Sequence, residues 1–307
     1  TYTIRLTDDA TGCYDEKPVT VTINPRPTVT VTDPAAVCFG KTVDLNTAIT
    51  SEKTGLTFQF FNGATEVTGA GITAAGAGTY TVVATNTTTT CQSIPSAPFT
   101  VTVYEKVEVT IAQIDALCEG SELDITAKVS GADTYAYYSD AAGTTALPNT
   151  KITAVGTTNF WVKGTKNGCP SDLVAGSVTI NPKVTLTHTS GSTEQELCYG
   201  STIGNIVYKT ANATNATVTG LPTGVSYAFD QDAQTITISG TLPIQANDAS
   251  LTYTVSVEGA TAPCTNPASL TGTITIKGKP TVTIAQIDDL CEGSELDITA
   301  KVSGADT

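Results

Sequence analysis

One short motif recurs four times along the chain, as Cys38-Phe39-Gly40-Lys41, Cys118-Glu119-Gly120-Ser121, Cys198-Tyr199-Gly200-Ser201 and Cys291-Glu292-Gly293-Ser294. Each copy reads C-x-G-[K/S] and leads into an apolar alternation such as Val43/Leu45 or Leu123/Ile125. A second motif, a segment of strict period two, also occurs four times: Val19-Thr20-Val21-Thr22-Ile23, Val101-Thr102-Val103, Val178-Thr179-Ile180 and Ile274-Thr275-Ile276. An aliphatic face backed by a threonine face is the pattern of a half-buried antiparallel strand. Repetition at this spacing implies a tandem series of small domains rather than one large core.

Taking the period-two strand as the end of each unit sets the boundaries. Residues 1–25 are the tail of one domain, residues 26–104, 105–183 and 184–278 are complete domains, and residues 279–307 are the head of another. The junctions Asn24-Pro25-Arg26-Pro27 and Asn181-Pro182-Lys183 are short and proline-marked, which predicts a semi-rigid rod. Residues 279–307 repeat residues 106–134 with 26 of 29 positions identical, the mark of recent duplication in a long array. With Thr at position 1 and no Met anywhere, the expectation is an internal segment of a longer mature protein.

Composition agrees with an all-β chain. Thr and Val favour pleated strands, Gly, Asn, Asp and Pro supply turns, and no stretch has convincing helical periodicity. The net charge of −14 argues against nucleic acid and anionic lipid as partners, because phosphates need Lys and Arg. An acidic surface also discourages edge-to-edge association of strands. No apolar run approaches a membrane span.

The eight cysteines are widely spaced, which points to an oxidising compartment and away from a zinc cluster. Each complete domain carries two, one near its first strand and one before its last. The natural pairs are therefore Cys38–Cys91, Cys118–Cys169 and Cys198–Cys264, with links between neighbouring domains, such as Cys91–Cys118, as the competing scheme. Within the domains, Phe58/Phe60 align with Tyr135/Tyr137 and Tyr80/Val82 with Phe160/Val162, as facing core strands. Trp161 aligns with Thr81 and is expected on the surface or in a domain junction, as a packing contact or a sugar-binding face.

The [V/L]-C-x-G pattern, the aromatic strand and Gly78-Thr79-Tyr80-Thr81-Val82-Val83 resemble the immunoglobulin-like and PKD-like repeats of Bacteroidota surface proteins. Thr1–Asp8 followed by Gly12-Cys13 looks like the end of such a repeat. Residues 217–241, with Gly220-Leu221-Pro222 and Ile236-Thr237-Ile238, resemble a PKD-like module. The resemblance implies tandem antiparallel β-sandwiches in a giant adhesin of the type IX-secreted, gliding SprB type. It further implies display at the outer cell surface, neighbouring repeats as partners and a surface or glycan ligand bound at a distal region.

The single histidine, His188, has no nucleophile motif beside it, so a hydrolase site is not expected and neither is a cofactor. Asp8-Asp9, Asp15-Glu16 and Asp230-Gln231-Asp232 could offer oxygen ligands to structural calcium, yet lack EF-hand spacing and read as turn residues. The sequons at Asn86, Asn212 and Asn215 read as chance matches in a Thr-rich chain, and the Gly-rich stretches at 69–71 and 76–78 as turns. Three readings of function follow. They are a load-bearing adhesin or filament stalk, a self-assembling multi-chain fibre, and a spacer in a secreted hydrolase.

Overall fold

The computed structural model describes residues 1–297 and 302–304, so the last part of the expected repeat head, at 298–301 and 305–307, lies outside the described residues. The chain is all-β, as composition and periodicity predict, with only three four-residue helical turns among the described residues. Its residues cluster into two compact units. One comprises Thr1–Thr110, Ser130–Ala136 and Val162–Val174, the other Ile111–Val129, Tyr137–Trp161 and Ala175–Thr307.

In the first unit, Tyr2–Thr7 and Tyr14–Val19 form an antiparallel hairpin, paired from Tyr2↔Val19 to Thr7↔Tyr14. A four-stranded antiparallel sheet follows in the order Thr65–Val67, Leu56–Asn62, Gly78–Asn86, Phe99–Val101. Alternation puts Phe60, Tyr80, Val82, Phe99 and Val101 inward, where they pack with Val43, Leu45 and Ile49 from the segment after the first C-x-G turn. Phe99 stacks on Tyr80 at 6.0 Å and meets the edge of Phe60 at 6.5 Å. Burying three rings supplies most of the apolar driving force of so small a core.

The second unit contains a closed sandwich. One sheet runs Thr185–Ser190, Ile206–Ala211, Thr235–Gly240, Val225–Asp230, and the other Glu194–Cys198, Leu270–Lys277, Ala249–Glu258, Asn215–Thr219. Tyr208 from one sheet and Tyr253 from the other are fully buried and share a hydrogen bond of 3.1 Å through their hydroxyls. Tyr253 also donates to the Thr193 carbonyl at 3.3 Å. Burial, then the bond to Tyr208, pushes the Tyr253 pKa up, so its hydroxyl stays neutral and the hydrogen-bonded pair acts as a polar rivet through an apolar core.

Three of the four period-two segments form as expected, with Val101, Val178, Ile180, Ile274 and Ile276 almost fully buried. In each case the C-x-G segment lies parallel to that strand. Val37 bridges Val103, Leu117-Cys118 pair with Ile180-Asn181, and Glu194–Cys198 run alongside Thr273–Lys277. The fourth, Val19–Ile23, leaves the strand after Val19 and exposes Val21 and Ile23. Among the described residues no strand pairs with Val21–Ile23, so its aliphatic face has nothing to bury it.

The rivet depends on space left by Gly272, where a Cβ would sit 2.2 Å from the Tyr253 hydroxyl and 2.5 Å from the Thr193 carbonyl oxygen. Gly272→Ala is therefore expected to destabilise this sandwich by about 1–3 kcal/mol through overpacking, and Tyr253→Phe by about 1 kcal/mol. Urea unfolding of the oxidised chain measures both. A Gly272→Ala variant as stable as the parent would contradict this packing.

Candidate functional site: the cysteine clips

Every C-x-G motif closes the same turn. The fourth residue's amide returns to the cysteine carbonyl in Lys41→Cys38, Ser121→Cys118, Ser201→Cys198 and Ser294→Cys291, at 2.9–3.2 Å. Gly40, Gly120, Gly200 and Gly293 hold φ between 68° and 92° at the third position, the type II pattern. No atom lies within 4 Å of a Cβ built at any of them, so backbone conformation alone demands glycine. At Cys38, Cys118 and Cys198 the preceding segment is pinned to a terminal strand, so the turn fixes its cysteine at the end of that strand. Tyr104 N donates to Val37 O, Glu119 N to Asn181 O and Tyr199 N to Lys277 O.

The other cysteines are placed by different devices. Cys169 closes a two-residue hairpin over Asn167-Gly168, both at positive φ, with Lys166 opposite Cys169. Asn-Gly is the preferred pair for such a loop. Cys91 and Cys13 end equivalent loops, in which Asn86 N donates to Cys91 O and Asp8 N to Cys13 O. The carboxamide of Asn86 and the carboxylate of Asp8 each cap two amides of their own loop. Two residues beyond the cysteine a buried serine fastens the segment down. Ser93 Oγ accepts from Ala84 N at 2.9 Å, and Ser171 Oγ from Gly164 N at 2.9 Å. In the third copy Asn266 takes this role, accepting from Ala260 N at 3.0 Å. The recurring C-x-S of Cys91/Ser93 and Cys169/Ser171, and the Asn-Gly before Cys169, were sequence signals of this placement that the motif reading passed over.

The disulfides that form are Cys38–Cys169 and Cys118–Cys264, with Cα separations of 5.4 and 5.1 Å. The pairs predicted within single domains, Cys38–Cys91, Cys118–Cys169 and Cys198–Cys264, are not formed, and neither is Cys91–Cys118. Cys91 and Cys198 are free thiols, as are Cys13 and Cys291. The reason is positional. The C-x-G cysteine lies at the end of its terminal strand, where the chain leaves the repeat. The later cysteine lies at the entrance, since Cys264 Sγ sits 3.5 Å from Asn181 O and Cys91 Sγ 3.9 Å from Asn24 O. Cysteines of one repeat thus face opposite ends, and the C-x-G cysteines Cys38 and Cys118 meet the later cysteine of the following repeat.

Linker residues brace both clips. Lys106 pairs with Asp172 at 2.8 Å beside Cys38–Cys169; that bond raises the lysine pKa and lowers the carboxylate's. At the second clip Asn181 Nδ2 donates to Ala262 O at 2.7 Å, and Lys183 N to Glu119 at 2.9 Å. Each loop closure is worth about 5 kcal/mol against the unfolded chain in the chain-entropy model, and less for the second because the loops overlap.

The remaining candidates stay apart. Trp161 is half-buried, between the buried Phe160 and Val162 on the opposite side of its strand. His188 is exposed, its Nε2 3.0 Å from Ser190 O and its ring against Tyr208. Asp8 and Asp230 cap their own turns, and Glu16 faces Arg5 at 3.6 Å. Among the described residues no three His, Cys, Asp or Glu side chains group as a metal site would need, and no helix is long and apolar enough to cross a membrane.

No protein-family model matches the chain, and no curated protein does. Solved structures similar to it include extracellular domains 3–5 of Drosophila OTK, at 12% identity and TM-score 0.30 over 83% of this chain and 99% of that one. Immunoglobulin domains 1–5 of Sidekick-1 align at 12% identity and TM-score 0.30, over 90% and 66% of the two chains. The insect immune protein hemolin aligns at 11% and 0.26, over 85% and 79%.

If the serine latch holds the clip, Ser171→Ala leaves the Gly164 amide unsatisfied. It is expected to cost about 1–3 kcal/mol and to speed reduction of Cys38–Cys169 while leaving Cys118–Cys264 unchanged. Thiol release under limiting reductant, followed by mass spectrometry, measures this. Equal rates in parent and variant would remove the serine from the account.

Proposed function

We propose that the chain is a structural repeat segment of a long extracellular cell-surface adhesin or filament. In this reading it projects a distal binding region and carries load between that region and the cell. The observation that carries it is the pairing of the C-x-G cysteines Cys38 and Cys118 with Cys169 and Cys264, the later cysteines of the next repeats. A spacer that needed only stable domains would be served by bonds within each. Bonds across the junctions instead make the connections covalent at two points, where a pulled string of domains otherwise depends on one linker. The two hydrophobic cores, one within 26–104 and one within 184–278, support the proposed domain boundaries. Disulfides suit the cell exterior, and an acidic surface suits a long chain that should not stick to itself. The partners that follow are neighbouring repeats, with Trp161 as a candidate packing contact, and the ligand belongs to a region beyond these repeats. Secretion by the type IX route and a part in gliding belong to the same proposal and come from the family resemblance.

Electron microscopy of native material labelled with an antibody to residues 184–278, with denaturing mass measurement on the same sample, tests this. The expected result is label on single-file threads projecting from cells, with a very high mass per chain. Bundles with many chains per cross-section would replace the stalk with a multi-chain fibre, and a compact secreted particle would replace it with a hydrolase spacer.

A further inference from the structure

The two disulfides interleave. Cys118 lies inside the loop closed by Cys38–Cys169, and Cys169 lies inside the loop closed by Cys118–Cys264. We infer that this interleaving keeps the chain from Cys38 to Cys264 in one covalent piece after backbone cleavage anywhere along it, junctions included. A cut between Cys38 and Cys118 is bridged by Cys38–Cys169. A cut between Cys169 and Cys264 is bridged by Cys118–Cys264, and a cut between Cys118 and Cys169 by both. Two cuts in different ones of these three segments still leave three pieces joined, because one disulfide ties the middle piece and the other closes the remaining gap.

Bonds within domains could not do this. Cys38–Cys91, Cys118–Cys169 and Cys198–Cys264 would protect domain interiors and leave both junctions single-stranded. Exposed connecting segments are where proteolytic nicking concentrates. The junctions here hold exposed lysines, Lys106 and Lys183, the residue type that a trypsin-like protease recognises. The overlap of the loops therefore places covalent redundancy where a string of folded domains is otherwise most easily severed. The inference stands on the two bonds and not on the adhesin reading. A secreted spacer with the same bonds would tolerate nicking equally, so failure of one does not entail failure of the other.

The test uses the full chain with a site-specific protease sequence inserted after Lys106, after Lys183, or after both. Thiols are blocked by alkylation, the protein is cut to completion, and the products are run in SDS with and without reductant. Without reductant all three variants are expected to migrate as one species, and with reductant as two, two and three fragments. In the doubly cut chain, Cys38→Ser should release the piece ending at Lys106 alone, and Cys264→Ser the piece beginning at Val184 alone. Release of either piece from the parent without reductant overturns the inference. Should an insertion disturb folding, limited lysine-specific digestion of the unaltered chain gives the same readout, with each nick located by mass spectrometry. Pieces nicked at Lys106 or Lys183 must then stay together until reduced, and their separation would equally overturn it.

Discussion

A left-handed glycine in a four-residue turn is the constraint on which this arrangement rests. Gly40, Gly120 and Gly200 have open space around them, so the requirement is purely for a positive φ that other residues adopt with strain. The turn ends the segment lying parallel to the terminal strand of its repeat, and so it sets where the cysteine emerges. A turn one residue longer, or a residue unwilling to enter the left-handed region, would move the thiol away from the linker. The junction bond would then have no partner within reach, since the Cα atoms must come within about 7 Å.

The parallel pairing also explains why one repeat's two cysteines do not meet. Cys38 is held beside the segment Val103-Tyr104 that follows the terminal strand, while Cys91 closes a loop facing Asn24. The same polarity holds for Cys198, opposite Lys277, and Cys264, beside Asn181. A fold that sends its first pinned segment and its last loop to opposite ends converts a two-cysteine repeat into a linking unit. Chemistry that would otherwise stabilise single domains is thereby spent on the junctions, and domain stability falls to aromatic cores such as Phe60, Tyr80 and Phe99 and to the Tyr208–Tyr253 rivet.

Much of this was legible in the residues. Period two marked the buried strands at Val101, Val178 and Ile274, and the alignment of Tyr80/Val82 with Phe160/Val162 picked inward faces that are buried. Cysteine pairing was not legible, because counting two per domain is silent on which end of a domain each occupies; that depends on a parallel pairing over only one to five residues. The devices fixing the later cysteines, Asn167-Gly168 and the serines at 93 and 171, are short and common, and they gain meaning only once the strand they fasten to is known. Val19–Ile23 shows the converse, a pattern that satisfies the strand rule and yet is exposed.

Peptide mapping of the chain under non-reducing conditions tests the central claim most directly. The account predicts disulfide-linked peptides joining Cys38 to Cys169 and Cys118 to Cys264, with Cys13, Cys91, Cys198 and Cys291 recovered as alkylated thiols. Peptides joining Cys38 to Cys91 and Cys118 to Cys169 would contradict it, and would return each disulfide to the inside of a single domain.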